Sequence, residues 1–269
     1  MANRRALRVF HPHWGCLLGE GGRTAPAKRL NTTVRQIPGR QVKKRELDLS
    51  SPREVASKID AEIRALPVQN TPGTRAIRRK YSRQLREAGP EYVLAVAREL
   101  LERYGHRSVA YELIRHHGGA FERVGEAELE ALGEGINSWW SVDSFARTLA
   151  GPAWLRGQVT DGLIHRWAGS EDVWWRRAAL VSTVALNVRS HGGYGDASRT
   201  LAVCRLLVAD REDMVVKALS WALRELVVHD PDAVRAFLEE NEGVLAARVK
   251  REVRNKLRTG LKNPKRERG

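Results

Sequence analysis

The sequence predicts an all-α protein built as a solenoid of helix pairs, and three observations carry that prediction. Apolar residues recur at three- and four-residue spacing from Pro52 onward. No stretch alternates apolar and polar residues for long enough to make a strand. Similar short segments also return along the chain: Gly105-His106-Arg107-Ser108-Val109-Ala110, Glu171-Asp172-Val173-Trp174-Trp175-Arg176-Arg177-Ala178 and Glu212-Asp213-Met214-Val215-Val216-Lys217-Ala218. Their small residues Ala110, Ala178 and Ala218 set a register: the first gap is 68, twice 34, with Ser144 at its midpoint, and the second is 40. Intervals of about 34–45 residues belong to tetratricopeptide- or HEAT-type stacks, where a small residue on each rung lets helices approach closely.

Taken in order, residues 1–50 hold 11 Lys/Arg against 3 Asp/Glu. They are Arg-rich like a transit peptide but lack its amphipathic stripe, so they are expected to form a basic, poorly ordered arm. His11, His13 and Cys16 lie close together here, but they lack further partners at site spacing, and no metal or other cofactor is expected. The helical region, 51–244, opens at Ser51-Pro52-Arg53-Glu54, a cap followed by proline in the first turn. Amphipathic stretches follow at 53–66, 74–88 and 90–104. Gly73, Gly89-Pro90, Gly105, Gly118-Gly119, Gly151-Pro152, Gly169-Ser170, Gly192-Gly193 and Asp230-Pro231 read as breaks between helices. His116-His117 reads as a helix end, where it suits the helix dipole. Gly192-Gly193-Tyr194-Gly195 lacks the preceding strand a phosphate loop requires and reads as a turn. Residues 245–269, with 10 Lys/Arg against 2 Asp/Glu, form a basic C-terminal helix and tail.

Net charge is +15 and the pI about 10.4, so a polyanion is the natural partner. Nearly all of the excess lies in the two flanking segments, which leaves a body close to neutral that can still segregate a basic face. Two cysteines argue against a disulfide framework and for a reducing compartment. No apolar run reaches the roughly 18 residues of a membrane span. The expected setting is the cytoplasm, on the nucleoid, and the Arg and Ala usage points to a bacterium. The protein is expected to act as a monomer.

The repeat register has a consequence for the site. The position before each small residue is Val109, Asp143, Arg177 and Lys217, and equivalent positions of a solenoid line up on one face. Trp139 and Asp143 are four apart, Trp174 and Arg177 three, and Lys217, Trp221 and Arg224 four and three, so each helix offers an aromatic and a charged group together. Such a surface suits a nucleic-acid backbone. Trp154 and Trp167 read as core, and Trp140 and Trp175 as packing residues beside their neighbours. Arg75, Arg79, Arg83 and Arg86 share a broad basic helix face, divided evenly between a solvated surface and phosphate contact.

The strings Ser138-Trp139-Trp140-Ser141-Val142-Asp143-Ser144, Trp174-Trp175-Arg176-Arg177-Ala178-Ala179 and Lys217-Ala218-Leu219-Ser220-Trp221-Ala222-Leu223-Arg224-Glu225 resemble the AlkD-type glycosylases of the DNA alkylation repair family. The pattern is Trp four residues before Asp, then Trp-x-x-Arg, then Lys-Ala-x-x-Trp-x-Leu-Arg-Glu. The resemblance covers roughly 53–240. It implies a HEAT-like superhelix with a concave, basic cleft for duplex DNA, and hydrolysis of the glycosidic bond of alkylated purines such as 3-methyladenine and 7-methylguanine without base flipping, which would let bulky adducts be tolerated. By motif, Asp143 would be catalytic between Trp139 and Trp221, and Arg177 would hold a phosphate. Lys217, Arg224, Trp140, Arg79 and Arg83 would be further DNA contacts. Which indole of Trp139-Trp140 faces DNA depends on helix register, and the spacing favours Trp139. The alternatives are a non-catalytic binder of damaged or branched DNA on the same scaffold, and a repeat scaffold for acidic partners.

Overall fold

The computed structural model describes residues 51–264, and among these every regular element is a helix. The chain runs through α1 (Pro52–Arg64), α2 (Thr71–Gln84), α3 (Pro90–Glu102), α4 (Arg107–Arg115), α5 (Gly118–Glu122), α6 (Glu126–Gly133) and α7 (Trp139–Phe145). It continues through a π-helical turn (Ala146–Ala150), α8 (Gly151–Leu155), α9 (Asp161–Ala168) and α10 (Val173–Asn187). After a short 3₁₀ turn (Arg189–His191) come α11 (Ala197–Leu206), α12 (Asp213–Leu226), α13 (Pro231–Glu240) and α14 (Ala247–Thr259). None is long and apolar enough to cross a membrane. The basic arm 1–50, with His11, His13 and Cys16, lies outside the described residues.

The helices stack as an α-solenoid does. One layer runs α2, α4, α7, α10, α12, α14, each packed on the next, while α1, α3, α9 and α11 pack against it and against one another. The repeat is also written into the polar contacts. Arg78 pairs with Glu112, Asp143 with Arg177 and Arg176 with Asp210, each 34 residues apart, and Asp213 pairs with Arg248 35 apart. Partners one repeat apart meet because neighbouring rungs present equivalent faces to each other.

Local chemistry starts most helices where expected. Ser51 caps α1 in a reciprocal box with Glu54, and the Asp230 side chain accepts from Ala233 N ahead of Pro231. Three expected breaks differ, one of them Gly118-Gly119, which forms the first turn of α5. Gly73 lies in the first turn of α2, behind the Asn70 cap, rather than before the helix. Gly151-Pro152 does not end a helix: backbone on both sides stays in the right-handed helical region, so 139–155 is continuous through the π turn. Proline lacks an N–H and its ring collides with the carbonyl four residues back, and the wider π turn is the local adjustment that absorbs this. Gly151 has a second reason to be glycine. A Cβ there would stand 2.5 Å from the Ser182 carbonyl oxygen and 2.6 Å from Ala185 Cβ, so α8 and α10 touch almost backbone to backbone.

Gly151→Ala is therefore expected to force these helices apart, costing about 1–3 kcal/mol, or a Tm lower by roughly 3–10 °C for a domain of this size. Gly118→Ala, whose added methyl meets nothing within 4 Å, is the matched control and should leave thermal unfolding nearly unchanged.

Candidate functional site

The site begins with the start of α7. Ser138 adopts extended backbone and its hydroxyl accepts from Ser141 N, while Ser141 Oγ accepts from Ser138 N. Two serines thus make the reciprocal cap usually made by serine and glutamate. This fixed first turn holds Trp139 and Trp140 outward, at 56% and 50% exposure. Indoles that exposed contribute nothing to the core and are available to a ligand. One turn on, Asp143 faces the same cavity, of about 530 Å³.

Five parts of the chain line that cavity. From α2 come Thr71, Thr74, Arg75 and Arg78, and from α4 Ser108, Val109, Glu112 and Arg115, with His116 beyond. The α7 side gives Trp139, Trp140, Asp143 and Ser144, continued by Arg147 and Thr148 of the π turn. The loop after α10 gives Ser190 and His191, and α12 gives Trp221. Trp221 turns its Nε1–H to Glu225 of its own helix at 2.9 Å, and the Arg147 guanidinium lies 5.5 Å from its ring centre. Trp139, Trp140 and Asp143 of α7 therefore share one cavity with Trp221 of α12, which is remote from them in the chain.

Arg177 underlies Asp143. Its Nε and Nη2 donate to the two carboxylate oxygens at 2.9 Å each, and Nη1 donates to the Met214 carbonyl of α12. The residue is 5% exposed. Expected as a phosphate contact, Arg177 instead lies beneath the surface with its donors engaged, so in this conformation it orients the carboxylate. Burial pushes the Asp143 carboxyl above its ordinary pKa, against the opposing pull of Arg177 and Arg147.

The other expected contacts are distributed differently. Lys217 pairs with Asp213 and does not reach the cavity. Arg224 lies against Ser220 and Glu252, largely buried. Arg79 and Arg83 are exposed on α2, but the stripe of α2 that faces the cavity is Thr71, Thr74, Arg75 and Arg78. Trp154 and Trp167 are core, and Trp175 stacks in a cluster with Phe145 and Trp167. Sequence reasoning missed Arg147, Arg115 and His191. The signal available was that Arg147 follows Asp143 by one turn; His191, in a loop, gave none.

The DNA alkylation repair enzyme family matches this chain over residues 58–257. That span covers most of the sequence, and the protein belongs to this family, so it has a role in DNA alkylation repair with DNA as its partner. Comparison with curated proteins gives no significant match.

Arg177→Ala should leave a largely buried carboxylate unpaired, costing about 3–5 kcal/mol at neutral pH. Without its partner Asp143 holds its proton more tightly in the fold than in the unfolded chain, so the variant's stability falls as pH rises. The deficit relative to the wild type should therefore shrink in acid, as read from denaturant midpoints at about pH 5 and 8. Arg177→Lys should recover only part of the loss, because an ammonium cannot bond both oxygens side by side.

Proposed function

We propose that this protein is a DNA glycosylase that hydrolyses the N-glycosidic bond of cationic alkylated purines, among them 3-methyladenine and 7-methylguanine, in duplex DNA. The observation that carries this reading is a desolvated carboxylate, Asp143, gripped through both oxygens by Arg177 in a cavity walled by Trp139, Trp140 and Trp221.

The chemistry asks little of such a site. Alkylation has already put positive charge on the purine, so the base leaves as a neutral molecule with the bonding electron pair and needs no general acid. As the bond to the anomeric carbon stretches, positive charge passes to the sugar. A carboxylate beside that carbon lowers the energy of the developing cation, and more so in a partly desolvated site than in water. It also accepts a hydrogen bond, then a proton, from the attacking water whose oxygen bonds to the carbon. Indole faces favour a cationic sugar by about 0.5–2 kcal/mol per contact. Arg177 holds the carboxylate from behind, which fixes its direction before the substrate arrives. Trp139 and Trp140 stand half exposed at the cavity wall, where a sugar or base could rest on them, so the base need not leave the stack and bulky adducts are tolerated.

One observation favours the alternative, a binder of damaged or branched DNA without hydrolysis. The Asp143–Arg177 pair ties two rungs together, a structural role that would keep the aspartate without any reaction.

Incubation with duplex DNA containing 7-methylguanine separates the two readings. Free 7-methylguanine should accumulate with the wild type, and no release from DNA that is nonetheless bound would leave the binder. Asp143→Asn, which keeps shape but removes charge, should cut single-turnover release by about 10²–10³-fold while changing duplex affinity by no more than about threefold. Hydrolysis requires the ionised carboxylate, so activity should fall as pH drops through its pKa. Because burial raises that pKa, the acid limb should lie above the value of about 3.9 for a free aspartate. Rates corrected for spontaneous depurination, measured from about pH 4 to 8, check this.

A further inference from the structure

The cations of the cavity fall into two kinds. Arg75 and Arg78 both donate to Glu112, while Arg177, which is matched to Asp143, lies beneath the cavity rather than in its lining. Arg147 and Arg115 have no carboxylate within ion-pair distance among the described residues. The Arg147 guanidinium meets His191 Nε2 at a long 3.4 Å and the Trp221 ring at 5.5 Å. Its Nε is buried without an acceptor among the described residues. Arg115 lies over the Phe121 ring at 4.6 Å. A guanidinium carries five N–H donors, and a buried donor left unmatched costs about 1–3 kcal/mol, so such a group normally has a partner.

The surroundings add to this. Burial lowers the His191 pKa, and the positive charges of Arg147 and Arg115 lower it further, so the imidazole sits in a positive field with no counter-charge beside it. Burial and Arg156 likewise weaken the hold of Arg115 on its proton. The stretch 188–196, between α10 and α11, delivers Ser190 and His191 to the cavity. Mutually repelling donors in a water-accessible cavity are stabilised by an anion that takes several of them at once.

We propose that Arg147, supported by Arg115 and His191, seats a backbone phosphate of the DNA that enters this cavity. The phosphate contact that the family resemblance implied for Arg177 is thus assigned to the arginine one turn beyond Asp143. A phosphate there has a planar bidentate donor in Arg147, Arg115 adds positive charge, and the uncharged imidazole of His191 adds an N–H donor. It would anchor the strand on the same side as Asp143, since both side chains line the one cavity. The inference rests on the preceding proposal only in requiring duplex DNA in this cavity; it does not require hydrolysis.

The test measures binding to a duplex carrying a tetrahydrofuran abasic analogue. Arg147→Met should weaken affinity about tenfold or more and reduce the slope of log K against log salt by about 1 over roughly 50–200 mM. Single methylphosphonate substitutions at linkages flanking the analogue should then reveal one neutral linkage that weakens the wild type but not the variant. An unchanged slope in a variant with wild-type Tm, or a methylphosphonate penalty that persists at every linkage in Arg147→Met, would overturn the assignment. If Arg147→Met does not fold, phenylglyoxal modification of the wild type decides instead. Bound duplex should protect Arg147 from the reagent, and equal labelling with and without DNA would sink the proposal. Should the wild type release no 7-methylguanine while Arg147→Met still loses its salt slope, the glycosylase reading falls and the phosphate seat stands.

Discussion

The ion pair between Asp143 and Arg177 is the constraint on which the site depends. One buried guanidinium bonds the carboxylate of α7 with two donors and the Met214 carbonyl of α12 with a third, so a single α10 side chain touches both neighbouring rungs. Removing charges from water is costly, and the pair repays that cost only with such complete geometry. The same geometry gives the carboxylate a fixed direction. Its position relative to the tryptophans is then set by the stack rather than by a flexible side chain, which is how a preorganised electrostatic site must be built.

The backbone around the pair is specialised too. The π turn follows α7, the helix of Asp143, and carries Arg147, and Gly151-Pro152 follows it. Continuing a helix through proline requires local rearrangement, and bringing α8 within backbone contact of α10 requires glycine. Both features sit in the rung that holds the carboxylate. Elsewhere the stack is tied by ion pairs between neighbouring rungs, such as Arg176 with Asp210 and Arg78 with Glu112, which neutralise charge within the body. Among the arginines that line the cavity, Arg147 and Arg115 differ from Arg75 and Arg78 in having no carboxylate partner among the described residues.

Much of this was legible in the sequence because it is local or periodic. The Ser51 and Asp230 caps follow from side chains that reach only their own first turn. The 34-residue register predicted that positions 143 and 177 would be neighbours, and they bond each other. What it could not supply was the sign of that neighbourhood. Two opposite charges at equivalent positions can both face solvent or pair with each other, and burial decides which. The expected break at Gly151-Pro152 differed for a related reason: these residues punctuate chains in general, but here packing against α10 makes a continuous helix worth its local strain. Of the basic face shared by Arg75, Arg79, Arg83 and Arg86, only Arg75 lines the cavity, beside Arg78, because orientation about the helix axis is set by what α2 packs on.

By itself, then, the amino-acid order determined that the described chain is helical, that its helices recur at nearly constant intervals, and that tryptophans and charges fall on common faces. Those properties depend on hydrogen-bonding caps, apolar spacing and repeat length, each of which acts over a few residues or recurs regularly. Tertiary structure alone decided which cations are consumed by carboxylates and which remain free. It also brought His191, from an irregular loop, beside Arg147, 44 residues earlier in the chain. Charge pairing and desolvation depend on distances of a few ångströms between segments remote in sequence, and no periodicity encodes those distances.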